Sequence, residues 1–292
     1  NPMWQYVLED HYLRRNPHVI SPEGRKQVSV TPGPAQCYPV SRTLSRFNDL
    51  NMVNHFTSAC SAMVYRDELF GRDFTGNSFV SEPVHNLVHR EIMTAEGVTF
   101  SSRRAEDERD SEFLASRDNW FRPTMIKTGP DGALYVADMY RKVIEHTQYI
   151  PTELQKDLDV RAGDDRGRIY RVYPQDRPPR RIPDLSKLAT PELVAALDSP
   201  SGWQRDTAQK LLIERADRAA VPRLQELART GTRPLARLHA LCTLDGLGAL
   251  SAEILVDALD DANAGVRRHA VRLSEPLVNA SPDLGRALLK RA

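Results

Sequence analysis

One stretch indicates the fold of the first part of the chain: Gly129-Pro-Asp-Gly-Ala-Leu-Tyr-Val-Ala-Asp138. Its Pro-Asp-Gly step is typical of a tight turn, because proline presets one backbone angle and glycine tolerates the left-handed one. The turn lies between two short apolar runs, Thr124-Met-Ile-Lys127 and Ala133-Leu-Tyr-Val-Ala137. Runs of this length next to turn residues are typical of strands, so the stretch predicts a β-hairpin.

Further strand-like runs fill the sequence on both sides of this hairpin. Pro83-Val-His-Asn86 predicts a second turn, and Arg168-Ile-Tyr-Arg-Val172 predicts a last strand. Two helical patches, at residues 3–14 and 142–149, interrupt the β pattern. Successive antiparallel strands at this spacing favour a sandwich or the blades of a β-propeller.

The composition changes near Pro183. Of the 3 Trp, 9 Tyr and 8 Phe residues, only Trp203 follows that point. The segment before it, Tyr173-Pro-Gln-Asp-Arg-Pro-Pro-Arg-Arg-Ile-Pro183, is rich in proline and arginine and cannot continue a helix or a central strand. We therefore predict a β domain at 1–172, a linker at 173–184 and a helical domain at 185–292.

The last part of the chain repeats a pair of helical segments. The first segments are Leu193-Val-Ala-Ala-Leu197, Leu224-Gln-Glu-Leu227 and Leu255-Val-Asp-Ala-Leu259, which begin 31 residues apart (224 − 193 and 255 − 224). The second segments begin at Arg205, Arg237 and Arg267. A helix pair of this size cannot bury its apolar face alone, so the period predicts a solenoid similar to HEAT-type repeats. We expect the array to continue beyond the sequence given.

Composition and charge exclude several classes of protein. With 40% hydrophobic and 27% charged residues and a net charge of +1, the chain is globular and lacks the basic excess of a general nucleic-acid binder. No apolar run reaches the roughly 18 residues that a membrane span needs. The three cysteines form no disulfide framework and no CxxCH motif. Cys37 and Cys60 could form one bridge in an oxidising compartment, or all three could be ordinary thiols.

A family resemblance adds to these inferences. Trp120-Phe-Arg-Pro123, the hairpin stretch and Gly167-Arg-Ile-Tyr-Arg-Val172 together resemble a blade of the six-bladed sugar-dehydrogenase-like propellers, and residues 65–90 resemble the preceding blade. With helical repeats following, the order is similar to the planctomycete-type membrane-bound dehydrogenase family. The resemblance implies that residues 1–172 are the C-terminal part of a propeller, incomplete here. The first blades and any c-type haem domain would then lie outside this sequence.

The resemblance also implies an activity and a set of site residues. The family is expected to oxidise a sugar or an alcohol with pyrroloquinoline quinone, held by Ca²⁺, in the periplasm or outside the cell. We expect His85 as the catalytic base, Asn86, Arg90 and Arg122 as quinone ligands, and Asp138 as the metal ligand. A protein partner or cytochrome domain would dock on the helical repeats.

Four of these residues also have a purely structural interpretation. His85 and Asn86 could simply form a turn, Arg122 could pair with a carboxylate, and Asp138 could cap the next turn. Related dehydrogenases carry an arginine near this turn. The present sequence has His85-Asn86 at that place, and its arginine, Arg90, follows four residues later. The alternative function is therefore a non-catalytic binding or scaffolding module. If the resemblance holds, His85, Arg122 and Asp138 should lie toward one end of the propeller channel.

Overall fold

The chain divides into two compact units. The computed structural model describes residues 3–7, 9–15, 18, 24–31, 35–43 and 53–291. One unit spans Asn1–Pro179 and the other Arg180–Ala292. The first is built of antiparallel β-sheets and the second of packed α-helices. In the parts of the chain that are described, no helix is both long and apolar enough to cross a membrane.

The first unit contains three antiparallel sheets in its described residues. The two-stranded sheet pairs β1 (Trp4–Tyr6) with β2 (Arg25–Gln27). The second sheet has the order β3 (Cys60–Val64), β4 (Ser78–Glu82), β5 (Leu87–Glu96) and β6 (Thr99–Arg104), and β7 (Leu114–Ala115) pairs with β5. The third has the order β10 (Arg168–Val172), β9 (Leu134–Asp138) and β8 (Pro123–Thr128).

Both predicted hairpins are confirmed. Between β8 and β9, the Gly129 amide donates to the Ala133 carbonyl (2.8 Å), and Gly132 takes a φ of 89°. Between β4 and β5, Asn86 takes a φ of 58°, a left-handed conformation that asparagine tolerates better than most residues. Both turns are closed by residues that lie within a few positions of one another, so the local sequence is enough to predict them.

The two predicted helical patches are mostly wrong. Within residues 3–14, β1 precedes a single helical turn, α1 (Asp10–Leu13), because the backbone of residues 4–6 pairs with β2 and the Arg25 guanidinium lies over the Trp4 ring. Within residues 142–149, only Thr147–Tyr149 forms a 3₁₀ turn, and the short helix α2 (Thr152–Gln155) follows it. Strand pairing with a distant segment overrides local helical spacing in the first case.

The two larger sheets pack face to face. Tyr65, Phe79 and Val88 of the β3–β6 region share a core with Ile126 and Leu134 of the β8–β10 sheet. The far face of the β3–β6 sheet packs against residues 35–37 and 56. On the far face of the β8–β10 sheet, by contrast, Met125 and Ile169 are 52% and 69% exposed. Consecutive sheets therefore stack in sequence order, and the last one presents an open face.

The described part of the second unit contains seven α-helices: α3 (Thr190–Ala196), α4 (Gly202–Arg215), α5 (Val221–Thr230), α6 (Pro234–Gly246), α7 (Ala252–Leu259), α8 (Ala264–Ser274) and α9 (Pro282–Leu289). Helices α3, α5, α7 and α9 pack on one another in order, and so do α4, α6 and α8. One continuous apolar core lies between these two layers. Between the units, residues 173–184 form neither helix nor strand, and the chain divides at Pro179.

The repeated arginines hold the turns that precede their helices. Nη1 of Arg205, Arg237 and Arg267 donates to the carbonyls of Ser199 (2.6 Å), Gly231 (2.6 Å) and Asp261 (2.7 Å), respectively. Arg237 also forms two hydrogen bonds to the Asp261 carboxylate in the next repeat, at 2.6 and 2.7 Å. These contacts explain the repetition of arginine at one helix position by structure alone.

Candidate functional site

His85 lies in the turn between β4 and β5 and is almost fully buried. Its Nε2 accepts a hydrogen bond from the Asn54 backbone amide (3.0 Å), and its Nδ1 lies 3.5 Å from Oε1 of the buried Glu82. Because Nε2 accepts, the proton of a neutral imidazole is assigned to Nδ1, facing Glu82. Both ring nitrogens therefore face groups of the protein itself.

Asn86 connects the same turn to the segment before β8. Its side-chain amide donates to the carbonyls of Phe121 (2.5 Å) and Asn119 (3.1 Å). These two bonds hold the β4–β5 turn against the chain that enters the next sheet. The residue thus acts as a cross-link as well as a turn former.

Arg122 is fully buried, and its guanidinium binds backbone carbonyls on two sides. Nη1 donates to the Pro83 carbonyl (2.9 Å), Nε to that of Arg141 (2.9 Å) and Nη2 to that of Lys142 (3.1 Å). A planar guanidinium suits this task because its donors point in fixed, diverging directions. Arg122 therefore joins the β4–β5 turn to the segment that follows β9.

Asp138 caps the backbone next to Arg122. Its Oδ1 accepts the amide hydrogens of Arg122 (2.7 Å) and Tyr140 (2.8 Å), and Tyr140 takes a φ of 50°. Its Oδ2 lies 3.9 Å from Nε of Arg168, whose guanidinium stacks on the Tyr140 ring. The carboxylate thus stabilises an unusual backbone turn at the end of β9.

Four of the five predicted residues are therefore brought together. Arg122 bonds to the turn that carries His85 and Asn86, and its amide bonds to Asp138. Arg90 lies apart from them: it forms ion pairs with Glu108 (2.8 Å) and Asp107 (2.7 Å).

A buried charge network, not predicted from the sequence, lies on the opposite face of β5 from Arg90. Nδ1 of His89 donates to Glu112 (2.7 Å), and Nε2 of His89 lies 3.5 Å from Glu91. Arg104 pairs with Glu112 (3.0 Å), which also accepts the Tyr38 amide (3.0 Å). The alternation of strand residues places His89 and Glu91 on one face, but no sequence signal points to Glu112.

The network shifts the pKa of each of its central members. Burial lowers the pKa of His89, but the hydrogen bond to Glu112 and the contact with Glu91 outweigh it, so the pKa is raised. Burial raises the pKa values of Glu91 and Glu112, yet His89 outweighs it in both cases and the pKa values are lowered. The two carboxylates thus favour the protonated form of the His89 imidazole.

The candidate residues do not fit the cofactors that the resemblance implies. The guanidinium donors of Arg90 and Arg122 are engaged with carboxylates and carbonyls rather than directed at an anionic quinone. Oδ1 of Asp138 already accepts two amides, and its Oδ2 faces the Arg168 guanidinium, which opposes a dication. Across the described ranges, no group of three or more His, Cys, Asp or Glu side chains is placed to hold a metal.

The Cys37–Cys60 bridge considered above is absent, and all three cysteines are free thiols. Cys37 is buried in the small cluster with Phe56 and Leu87. Sγ of Cys60 instead lies 3.5 Å from the Thr124 carbonyl, in the neighbouring sheet. The two thiols therefore pack in different surroundings, and burial raises the pKa of both.

Fold and site together define a two-unit protein, an antiparallel β unit whose buried polar residues cross-link its turns, followed by a helical domain. The family described as "Domain of unknown function (DUF7133)" matches residues 1–176, more than half of the chain, and the protein belongs to that family. No curated protein and no solved structure matches the chain.

Proposed function

We propose that this protein is a non-catalytic binding and scaffolding module. The observation that carries the proposal is the engagement of Arg122, the best-placed candidate for an anionic cofactor, with carbonyls on both sides of it. His85 and Asp138 likewise bond to backbone amides. Groups used in this way stabilise the fold and leave little capacity for a substrate or a cofactor.

The proposal includes a finer architecture for each unit. The β unit is part of a propeller, supported by the stacking of two antiparallel sheets in sequence order and by the open face at Met125 and Ile169. The helical unit is a HEAT-type repeat array, supported by its two layers of helices and by the repeated arginine contacts. A protein partner would dock on the surface of these repeats, because stacked repeats create extended binding surfaces.

A second candidate is the quinone-dependent oxidation of a sugar or an alcohol, in an exported protein. One observation favours it: Oδ1 of Asn86 and Oδ2 of Asp138 are buried and accept no hydrogen bond from any described residue. Two such oxygens near Arg122 could accept bonds from a bound group or from water. The misfit of the arginines described above weighs against this candidate.

Dye reduction after reconstitution separates the two candidates. The full-length protein is incubated with pyrroloquinoline quinone and Ca²⁺ and is then assayed with a panel of sugars and alcohols. The scaffolding proposal predicts no reduction above a heat-denatured control. The proposal would be overturned by substrate-dependent reduction of the dye that the His85→Ala substitution weakens while the circular dichroism spectrum stays unchanged.

A further inference from the structure

An open cavity in the β unit lies beside the His89–Glu112 network and was not predicted from the sequence. Its volume is about 440 Å³, within the range of about 300–1,000 Å³ typical of small-molecule sites. Its lining includes Tyr38, Pro39, Val40, Asn54, Asp110 and Ser111. The cavity thus lies between residues 38–40, Asn54, whose backbone is left-handed, and the loop with Asp110 and Ser111 that precedes β7.

Three polar side chains of this cavity are not engaged elsewhere. Asn54, Asp110 and Ser111 are exposed, and their side chains form no hydrogen bond or ion pair with any residue the structure describes. This distinguishes them from the His85 ring, both nitrogens of which already face groups of the protein. Unengaged donors and acceptors around one cavity are what a polar ligand requires.

The charges around the cavity leave one carboxylate uncompensated. Glu112 also lines the cavity, but His89 and Arg104 pair with it and His89 in turn faces Glu91. With His89 protonated, these four side chains carry no net charge. Asp110 lies at the cavity without a partner among the described residues, so it gives the cavity a net negative charge.

Gln36 adds one more polar side chain to the lining, and another part of the wall is apolar. Pro39, Val40 and Ala115 line it, and Val40 is 53% exposed. The Tyr38 ring adds aromatic surface, with the Arg104 guanidinium on one of its faces at 4.8 Å. An apolar wall next to an unpaired carboxylate suits a ligand with an apolar body and a positive head group.

We infer that this cavity binds a small organic amine in its protonated form. The ammonium group donates to the Asp110 carboxylate and to the side-chain oxygens of Asn54 and Ser111. The apolar body packs against Pro39 and Val40. The inference does not depend on the proposed scaffolding function, because it uses neither the helical repeats nor the residues around Arg122.

Titration with three probes tests the inference on the full chain. Tyramine carries an aromatic body and an ammonium group, 4-ethylphenol lacks the charge, and sorbitol offers only hydroxyls. Calorimetry should detect tyramine binding, with 4-ethylphenol and sorbitol weaker by at least about tenfold. NMR should show tyramine-dependent shifts at the amides of Val40 and Asp110.

Matched variants make the test specific. Asp110→Asn should weaken tyramine binding by about ten- to a hundredfold, the loss expected for one charge-assisted hydrogen bond. Asp73→Asn removes another exposed carboxylate of the same unit, outside the cavity, and should leave the affinity unchanged. The inference is overturned if tyramine does not bind at millimolar concentration, if Asp110→Asn binds it normally, or if sorbitol binds as tightly.

Discussion

Replacing His89 by glutamine removes the titratable imidazole that lies between two buried carboxylates. Nδ1 of His89 lies 2.7 Å from Glu112, and its Nε2 lies 3.5 Å from Glu91. Removing one partner of a buried ion pair typically costs about 3–5 kcal/mol, because the other charge stays buried without compensation. Arg104 still holds Glu112 in the variant. We therefore expect His89→Gln to lower the free energy of unfolding of the β unit by about 3 kcal/mol at pH 7, the lower end of that range.

The pH dependence of this loss follows from the directions of the pKa shifts. The raised pKa of His89 gives stability that is complete below the ordinary imidazole pKa and is lost as the pH rises through the folded-state pKa. The lowered pKa values of Glu91 and Glu112 give stability that is present above the ordinary carboxyl pKa and is lost as the pH falls through the folded-state values. The difference between wild type and variant should therefore be largest near neutral pH and smaller on both sides.

Urea denaturation followed by tryptophan fluorescence measures the effect. A Trp203→Phe background leaves both remaining tryptophans in the β unit, so that the signal reports that unit alone. His146→Gln serves as the control, because His146 is exposed and its ring accepts one hydrogen bond, from the Gln148 amide (3.3 Å), so the variant should lose no more than about 1 kcal/mol. A loss below about 1 kcal/mol for His89→Gln, or one that does not vary with pH, would refute the account of the network.

Three further outcomes are expected. Arg122→Lys should destabilise the β unit by about 3 kcal/mol or more, because several buried carbonyls lose their donors. Asp138→Asn keeps the acceptor oxygen and should destabilise the unit by about 1 kcal/mol. Urea denaturation measures both variants, and equal losses would contradict the assigned contacts. In the helical unit, denaturation followed by circular dichroism at 222 nm measures the free energy of unfolding. Arg237→Met, whose ion pair is largely buried, should lower it by about 3 kcal/mol, and the more exposed Arg229→Met should lower it by at most about 1 kcal/mol. The reverse order would contradict the assigned burial of the two ion pairs. Thiol titration of denatured, non-reduced protein should count three free thiols, and a count of one would restore the disulfide.

Local sequence signals predicted the hairpins and the helical domain. The turn at 129–132 is closed by Asp131, whose Oδ1 accepts the Ala133 amide two residues later (3.1 Å), so the information lies within a few residues. The helical prediction at residues 3–14 failed because pairing with β2 depends on residues about twenty positions away.

The sequence predicted which residues lie together in the candidate site, but it did not predict which groups they contact. Arg122 and Asp138 are buried and adjacent, but the partners of Arg122 are carbonyl oxygens of residues 83, 141 and 142. Backbone carbonyls carry no residue identity, so no motif could reveal them. Glu112 lies 23 residues from His89, and only the folded chain brings the two together.

The central claim is that Arg122 holds the β unit together and does not bind an anionic cofactor. Calorimetric titration of the full-length protein with pyrroloquinoline quinone, in the presence of Ca²⁺, tests it most directly. The account predicts no saturable binding by the wild type. Stoichiometric binding that Arg122→Lys abolishes while the variant remains folded, as judged by circular dichroism, would contradict the account.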